Sequence, residues 1–232
     1  TLLLDRKVGL VYLMEFLNSK NAPDRQAAYK NLGNVRSKEI SDLLVTRLNA
    51  LIAGSGVKES RLELVEACAQ SKDPGVSTAY AGYVKGIGGD PLAGFKVALY
   101  GGDKAKGQEL VKTHGIAQCI RCHRLDHRGS TGPGLRHIGK KDRAYLLRSL
   151  ITPSSEITEG YGTVAIETKG GEDLVGVLTK SDKKSVTLKM EKKTRRIKKS
   201  DIVSQSKPIS AMRSEERRVG KACSSVGAPC CL

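Results

Sequence analysis

A chain of 232 residues has room for two domains of ordinary size, and its 39% hydrophobic content can fill their cores, although two Phe, seven Tyr and no Trp leave that task to aliphatic side chains. No apolar run approaches the roughly 20 residues that cross a bilayer, so the sequence offers no membrane span; Leu2-Leu3-Leu4 runs at once into Asp5, Arg6 and Lys7, unlike an export signal, and the leading Thr1 marks a fragment whose signal is expected upstream. The net charge of +16 favours an acidic partner, an anionic surface or nucleic acid.

From the start to about residue 86 the pattern is helical. Helices are predicted over residues 6–17 and 24–32, with Pro23 at the first helical position. The clearest covers 37–53. Ser37 can cap it, Glu39 sits in its first turn, and Ile40, Leu43, Leu44, Leu48, Leu51 and Ile52 form one apolar stripe that Gly54 ends. Another covers 58–70, with Leu62, Val65, Cys68 and Ala69 on one side. Antiparallel helices of this length suggest an α-solenoid of HEAT-like repeats over 1–88. Cys68 reads as a core thiol.

Ile87-Gly88-Gly89-Asp90-Pro91 marks a boundary, and the following domain is assigned to 89–212. A short helix is expected at 92–99, then one from Asp103 to Lys112, and one capped by Asp142 that carries Tyr145, Leu146, Leu147, Leu150 and Ile151 until Pro153 stops it. From Tyr161 the period changes to two. Val164, Ile166 and Thr168, then 174–178, 186–190 and 196–203, predict a small antiparallel β unit of about four strands within 161–205. The segment 180–201 holds ten Lys or Arg against Asp182, Glu191 and Asp201. It reads as a solvated strand face or a docking face for an acidic redox partner; nucleic acid is set aside because no aromatic stacking platform accompanies the charge. Residues 213–221 resemble the translation of a sequencing-adapter sequence, and 213–232 are read as one non-native tail. This expected non-native tail holds Cys223, Cys230 and Cys231 and carries no functional weight.

Cys119-Ile120-Arg121-Cys122-His123 is C-x-x-C-H, the attachment signature of a c-type haem. One helical turn separates the thiols, so each can add to one vinyl group while the next residue turns its imidazole to the iron. A thioredoxin-like dithiol would need a βαβ setting, and a zinc site would need a second cysteine pair outside the tail. Gly132-Pro133-Gly134-Leu135 follows, and a backbone carbonyl in such a loop can accept the other ring N–H of His123. The sixth ligand is open among Met14, Met190, Met212, His114, His127 and His137. Met14 and Met190 read as core residues. Met212 lies in a stretch able to return to the haem, and a Met/His pair suits electron transfer.

Gly101-Gly102-Asp103, the C-x-x-C-H motif, Gly132-Pro133-Gly134-Leu135, Tyr145-Leu146-Leu147, Pro153, Gly160-Tyr161-Gly162 and Ser210-Ala211-Met212 occur in the order of the PVC-type haem-binding cytochrome c domain, which residues 100–212 resemble. The resemblance implies a mainly α fold: a HEAT-like α-solenoid followed by a class I cytochrome c fold with an inserted small antiparallel β unit. It further implies one covalent haem c held by thioethers to Cys119 and Cys122, His123 as proximal ligand, Met212 as distal ligand, and Pro133 as the donor of the carbonyl behind His123. Gly134 replaces the Asp usual in the family, and Arg213 replaces the Pro usual after the distal Met.

The expected function is electron transfer, with the fragment as the electron-accepting end of a larger exported, extracytoplasmic dehydrogenase-like oxidoreductase. Its partners would be a redox protein or an upstream dehydrogenase domain, with an acidic docking partner compatible with the charge. Two other readings stand beside it: a peroxidase-like haem domain with an open or His-ligated iron, and a helical-repeat binding module with an accessory haem.

Overall fold

The computed structural model describes residues 6–126 and 131–212. His127 among the candidate ligands, and the tail 213–232, lie outside the described residues. The chain divides into two compact units between Gly107 and Gln108.

The first unit is helical: α1 (Arg6–Leu17), α2 (Ala22–Leu32), α3 (Lys38–Ile52), α4 (Arg61–Gln70) and α5 (Pro74–Gly86), then a 3-10 segment at Ala93–Leu99. On α3, Ile40, Leu44 and Leu48 are wholly buried at a spacing of four, which puts them on one face. They meet Leu32, Tyr29 and Ala28 of α2, Leu64, Ala67 and Cys68 of α4, and Val76 of α5 in one core. Ser37 stands at the N-cap of α3, but its hydroxyl turns to the Glu39 carboxylate rather than to the helix backbone. The cap that does form is on α5, where Asp73 Oδ1 accepts from the amides of Gly75 and Val76 at 2.9 and 3.1 Å, with Pro74 in the first turn. Cys68 is buried, and desolvation raises its thiol to about 11, so it stays protonated and serves as packing.

The same unit contains a polar junction. Gln26 Nε2 donates to the carbonyls of Glu59 (2.7 Å) and Gly101 (2.6 Å), tying the 3-10 turn Lys58–Ser60 and the segment after Leu99 to α2. Gly101 has φ +86°, and a Cβ there would lie 2.0 Å from the Glu59 carbonyl oxygen, so only glycine fits.

The second unit contains a helix, α7 (Arg143–Ile151), and a sheet. Helix α6 (Lys104–Thr113) spans the division between the units; Asp103 caps its start by accepting from Ala105 and Lys106 at 2.8 and 3.1 Å. Asp142 caps α7 by accepting from Tyr145 N at 2.8 Å, and Leu147 and Ile151 are buried. The strands are β1 (Gly162–Thr168), β2 (Asp173–Ser181), β3 (Ser185–Lys189), β4 (Thr194–Lys198), β5 (Ile202–Gln205) and β6 (Ile209–Ser210). All the pairings are antiparallel, in the order β4-β3-β2-β1-β5, with β6 also on β1. Period-two alternation puts Val164, Ile166, Val186, Leu188 and Ile197 into one core, with Leu174, Leu178 and Ile202 against it. Register shifts at Glu167/Thr168 and Leu178/Lys180 bend the sheet, as bulges do.

This overturns the expected fold class. The chain is an α and β mixture in which a six-stranded antiparallel sheet has its own core, rather than a mainly α protein with a small β insertion. The reason is local. The stretch read as a single strand over 196–203 is two, β4 and β5, broken by a 3-10 turn at Lys199–Asp201, and they pair at opposite sides of the sheet. β6 has two residues, too few for any periodicity to register.

Candidate functional site

The C-x-x-C-H motif lies in the second unit, on a loop that begins where α6 ends. Its entry is shaped by His114: Nδ1 accepts from the amides of Ile116 (3.3 Å) and Ala117 (3.1 Å), closing the loop on itself. Gln118 follows with φ 46°, the left-handed region that non-glycine residues seldom occupy, and its side-chain oxygen accepts from Arg121 at 2.8 Å. That reversal starts the 3-10 turn Cys119–Arg121. The Cys119 carbonyl accepts from Cys122 N at 3.3 Å and His123 N at 2.9 Å, so both thiols and the imidazole belong to one compact turn. Neither cysteine is in a disulfide; Cys119 is half-buried and Cys122 exposed.

Two backbone hydrogen bonds join this turn to the glycine-proline loop: Gly132 N to Cys122 O at 3.0 Å and Leu135 N to Arg124 O at 2.8 Å. They bring the Pro133 carbonyl to 2.7 Å from His123 Nδ1. A carbonyl oxygen only accepts, so Nδ1 carries the proton, and in the neutral imidazole the lone pair is left on Nε2. Gly132 makes this approach possible. A Cβ there would stand 2.8 Å from Cε1 and 3.0 Å from Nδ1 of His123.

Of the other candidate ligands, Met14 is in α1, packed against the core of the first unit. Met190 lies one residue past β3, half-buried, with its Cγ close to Gly176, and not among the core residues of the sheet. His114 is occupied by the loop amides, and His137 is exposed beside the 3-10 turn Ile138–Lys140. Met212 is half-buried just past β6. Its amide donates to Ser210 Oγ at 3.1 Å, and Ser210 N donates to Ser154 Oγ at 3.1 Å, which ties the Met212 segment to the turn that follows α7. The structure thus brings together Cys119, Cys122, His123, Gly132 and Pro133, and holds Met212 through β6. Sequence reasoning missed the positioning roles of His114 and Gly132. A histidine followed by a tight turn was the available signal for the first.

The residues present suit a c-type haem. Two thiols and a ligand-competent imidazole share one turn, the ring is backed by a backbone carbonyl, and the exposed apolar side chains Ile116, Ile120 and Leu125 accompany them. Among the described residues no group of three or more His, Cys, Asp or Glu side chains is placed to hold a metal ion. Among the described residues no helix is long and apolar enough to cross a membrane. No family model matches the chain, and no curated protein matches it.

Proposed function

We propose that this chain is an electron-transfer protein carrying one covalently attached haem c, exported from the cytoplasm and serving as the electron-accepting part of a larger oxidoreductase. The observation that carries the reading is His123: its Nδ1 is committed to the Pro133 carbonyl, so Nε2 would be the nitrogen that holds an iron, on the turn that presents both thiols. Cys119 and Cys122 would hold the haem through thioether bonds to its two vinyl groups, an addition that needs no oxidant or reductant. A haem held there supplies a one-electron ferrous–ferric couple.

The chain's own residues then set how that couple behaves. The Pro133 carbonyl strengthens His123 as a donor and fixes the ring. Gly132 keeps the space beside the ring clear. Met212 is proposed as the second ligand on the strength of the Ser-x-Met resemblance; a thioether paired with the imidazole would raise the reduction potential and leave no open position for substrate, which separates this reading from a peroxidase.

The test is expression with an export signal in a host that matures c-type cytochromes, followed by a pyridine haemochrome spectrum. Haem retained through denaturation and acid–organic extraction, and lost in the Cys119→Ala/Cys122→Ala variant, is the expected result. A chain that matures without haem while a control cytochrome fills would overturn the proposal. Met212→Ala should remove the far-red charge-transfer band of the oxidised form and open the iron to cyanide.

A further inference from the structure

The second unit carries a concave basic site that the thiol–imidazole turn does not use. The turn between β2 and β3, the start of β3, the middle of β4 and the 3-10 turn Lys199–Asp201 surround an open cleft of about 660 Å3, lined by Lys183, Lys184, Ser185, Arg196, Lys198 and Lys199. The backbone that shapes it is fixed: Lys199 N donates to Lys184 O at 2.8 Å, and Ser185 pairs with Lys198 across β3 and β4.

The nearby acidic groups are already engaged. Asp182 accepts from the amides of Lys184 (2.8 Å) and Ser185 (2.7 Å), from Ser185 Oγ (2.9 Å) and from Arg196 (3.2 Å), and these contacts hold its carboxyl down to about 2. Asp201 takes the Ser200 hydroxyl at 2.9 Å. The four lysines are exposed and have no carboxylate partner among the described residues. The fold does not need them together, since Val186, Leu188 and Ile197 supply the core of these strands, while clustered like charge opposes compactness.

The chemistry of the cleft selects among anions. A phosphate site is ordinarily built from backbone amides or a bidentate arginine. Here Asp182 occupies both turn amides, and Arg196 is held by Ser185 and Asp182. No aromatic side chain lines the cleft to stack a base. What remains is a set of ammonium point charges on flexible stems, each able to pair with a separate carboxylate.

We propose that this cleft is a docking seat for an acidic segment of a partner protein, whose Asp or Glu carboxylates pair with Lys183, Lys184, Lys198 and Lys199. The seat exists whether or not a haem is attached to the motif.

The test is fluorescence anisotropy of a labelled octaglutamate peptide titrated with the full 232-residue chain at low and physiological salt. Lys183→Ser/Lys184→Ser/Lys199→Ser should weaken binding at least tenfold. Lys72→Ser/Lys85→Ser/Lys106→Ser, of equal net charge, should change it less than twofold. Because serine on β3 and β4 flanks could loosen the sheet, Lys183→Arg/Lys184→Arg/Lys199→Arg is the companion variant, expected to keep both fold and binding. Equal losses in the cleft and control variants would mean that net charge alone attracts the peptide and would overturn the proposal. So would tighter binding of a thymidine oligonucleotide or a heparin octasaccharide, since the cleft would then serve a different class of polyanion.

Discussion

Gly132 lies against the imidazole of His123 so closely that a methyl group added to it would stand 2.8 Å from Cε1. Contacts of that length are repulsive, so Gly132→Ala must displace the ring, the loop, or both. The expected cost is about 1 to 3 kcal/mol of stability in the second unit, together with loss of the Nδ1–carbonyl bond. Ring nitrogen chemical shifts by NMR report that bond directly, and the haem yield of the exported variant should fall with it. Pro133→Ala is the contrasting variant. It keeps the carbonyl, so it should disturb His123 much less.

His114→Ala should loosen the entry to the motif. It leaves the amides of Ile116 and Ala117 without the Nδ1 acceptor, at about 0.5 to 1.5 kcal/mol for each hydrogen bond. Hydrogen exchange at those two amides should accelerate, while exchange in β1 to β4 should not change. His114→Asn offers a side-chain oxygen at similar reach and should restore part of the protection. Unchanged exchange in His114→Ala would show that the histidine does not hold the loop.

Gly101→Ala should destabilise the helical unit by about 3 kcal/mol, from the left-handed backbone and from the collision with the Glu59 carbonyl. Gln26→Ala removes the donor to the same two carbonyls without a clash and should cost less. Urea unfolding of both variants gives the comparison; a Gly101→Ala protein as stable as the parent would rule out the tight junction.

Glu63 on α4 is 3% exposed, and its Oε2 has no hydrogen-bond partner. Burial raises its carboxyl above the ordinary value, against smaller lowering from its own amide and Lys30. At pH between the ordinary glutamate value and the raised one, the folded state therefore binds more protons at this group than the unfolded chain does. Stability from this group is fully present below the ordinary glutamate value and is lost as pH rises through the folded value. Glu63→Gln should flatten that part of the stability–pH curve and leave the protein more stable than the parent near neutrality, by thermal melts across pH. A residual slope of the same sign is expected from Glu66, which burial and Glu63 also raise.

Leu44→Ala empties a position in the centre of the helical core and should cost about 2 to 5 kcal/mol in the first unit. A loss below 1 kcal/mol by chemical denaturation would contradict the burial of that helix face.

Much of the local structure was legible because its causes are local. The spacing of Ile40, Leu44 and Leu48 places them on one face of α3 whatever they pack against, and Asp103 and Asp142 cap helices through amides two or three residues away. The spacing of Cys119, Cys122 and His123 confines them to one turn in the same way. Other features were not legible, because they depend on residues brought together by folding. Ser37 and Asp142 look alike as caps, yet Ser37 turned to Glu39. The break at Lys199–Asp201 separates two strands that sit at opposite sides of the sheet, and this is why the β unit was underestimated. The proton position on His123 rests on a carbonyl ten residues on, admitted only because residue 132 has no side chain. The lysines of 180–201 are a charge run in the sequence; pairing of β3 with β4, and Asp182 taking the turn amides, make them line a cleft. Spacing along a helix or turn is set by bonds and dihedral angles that each residue carries with it, whereas tautomer, burial and clustered charge are set by neighbours that only the folded chain supplies.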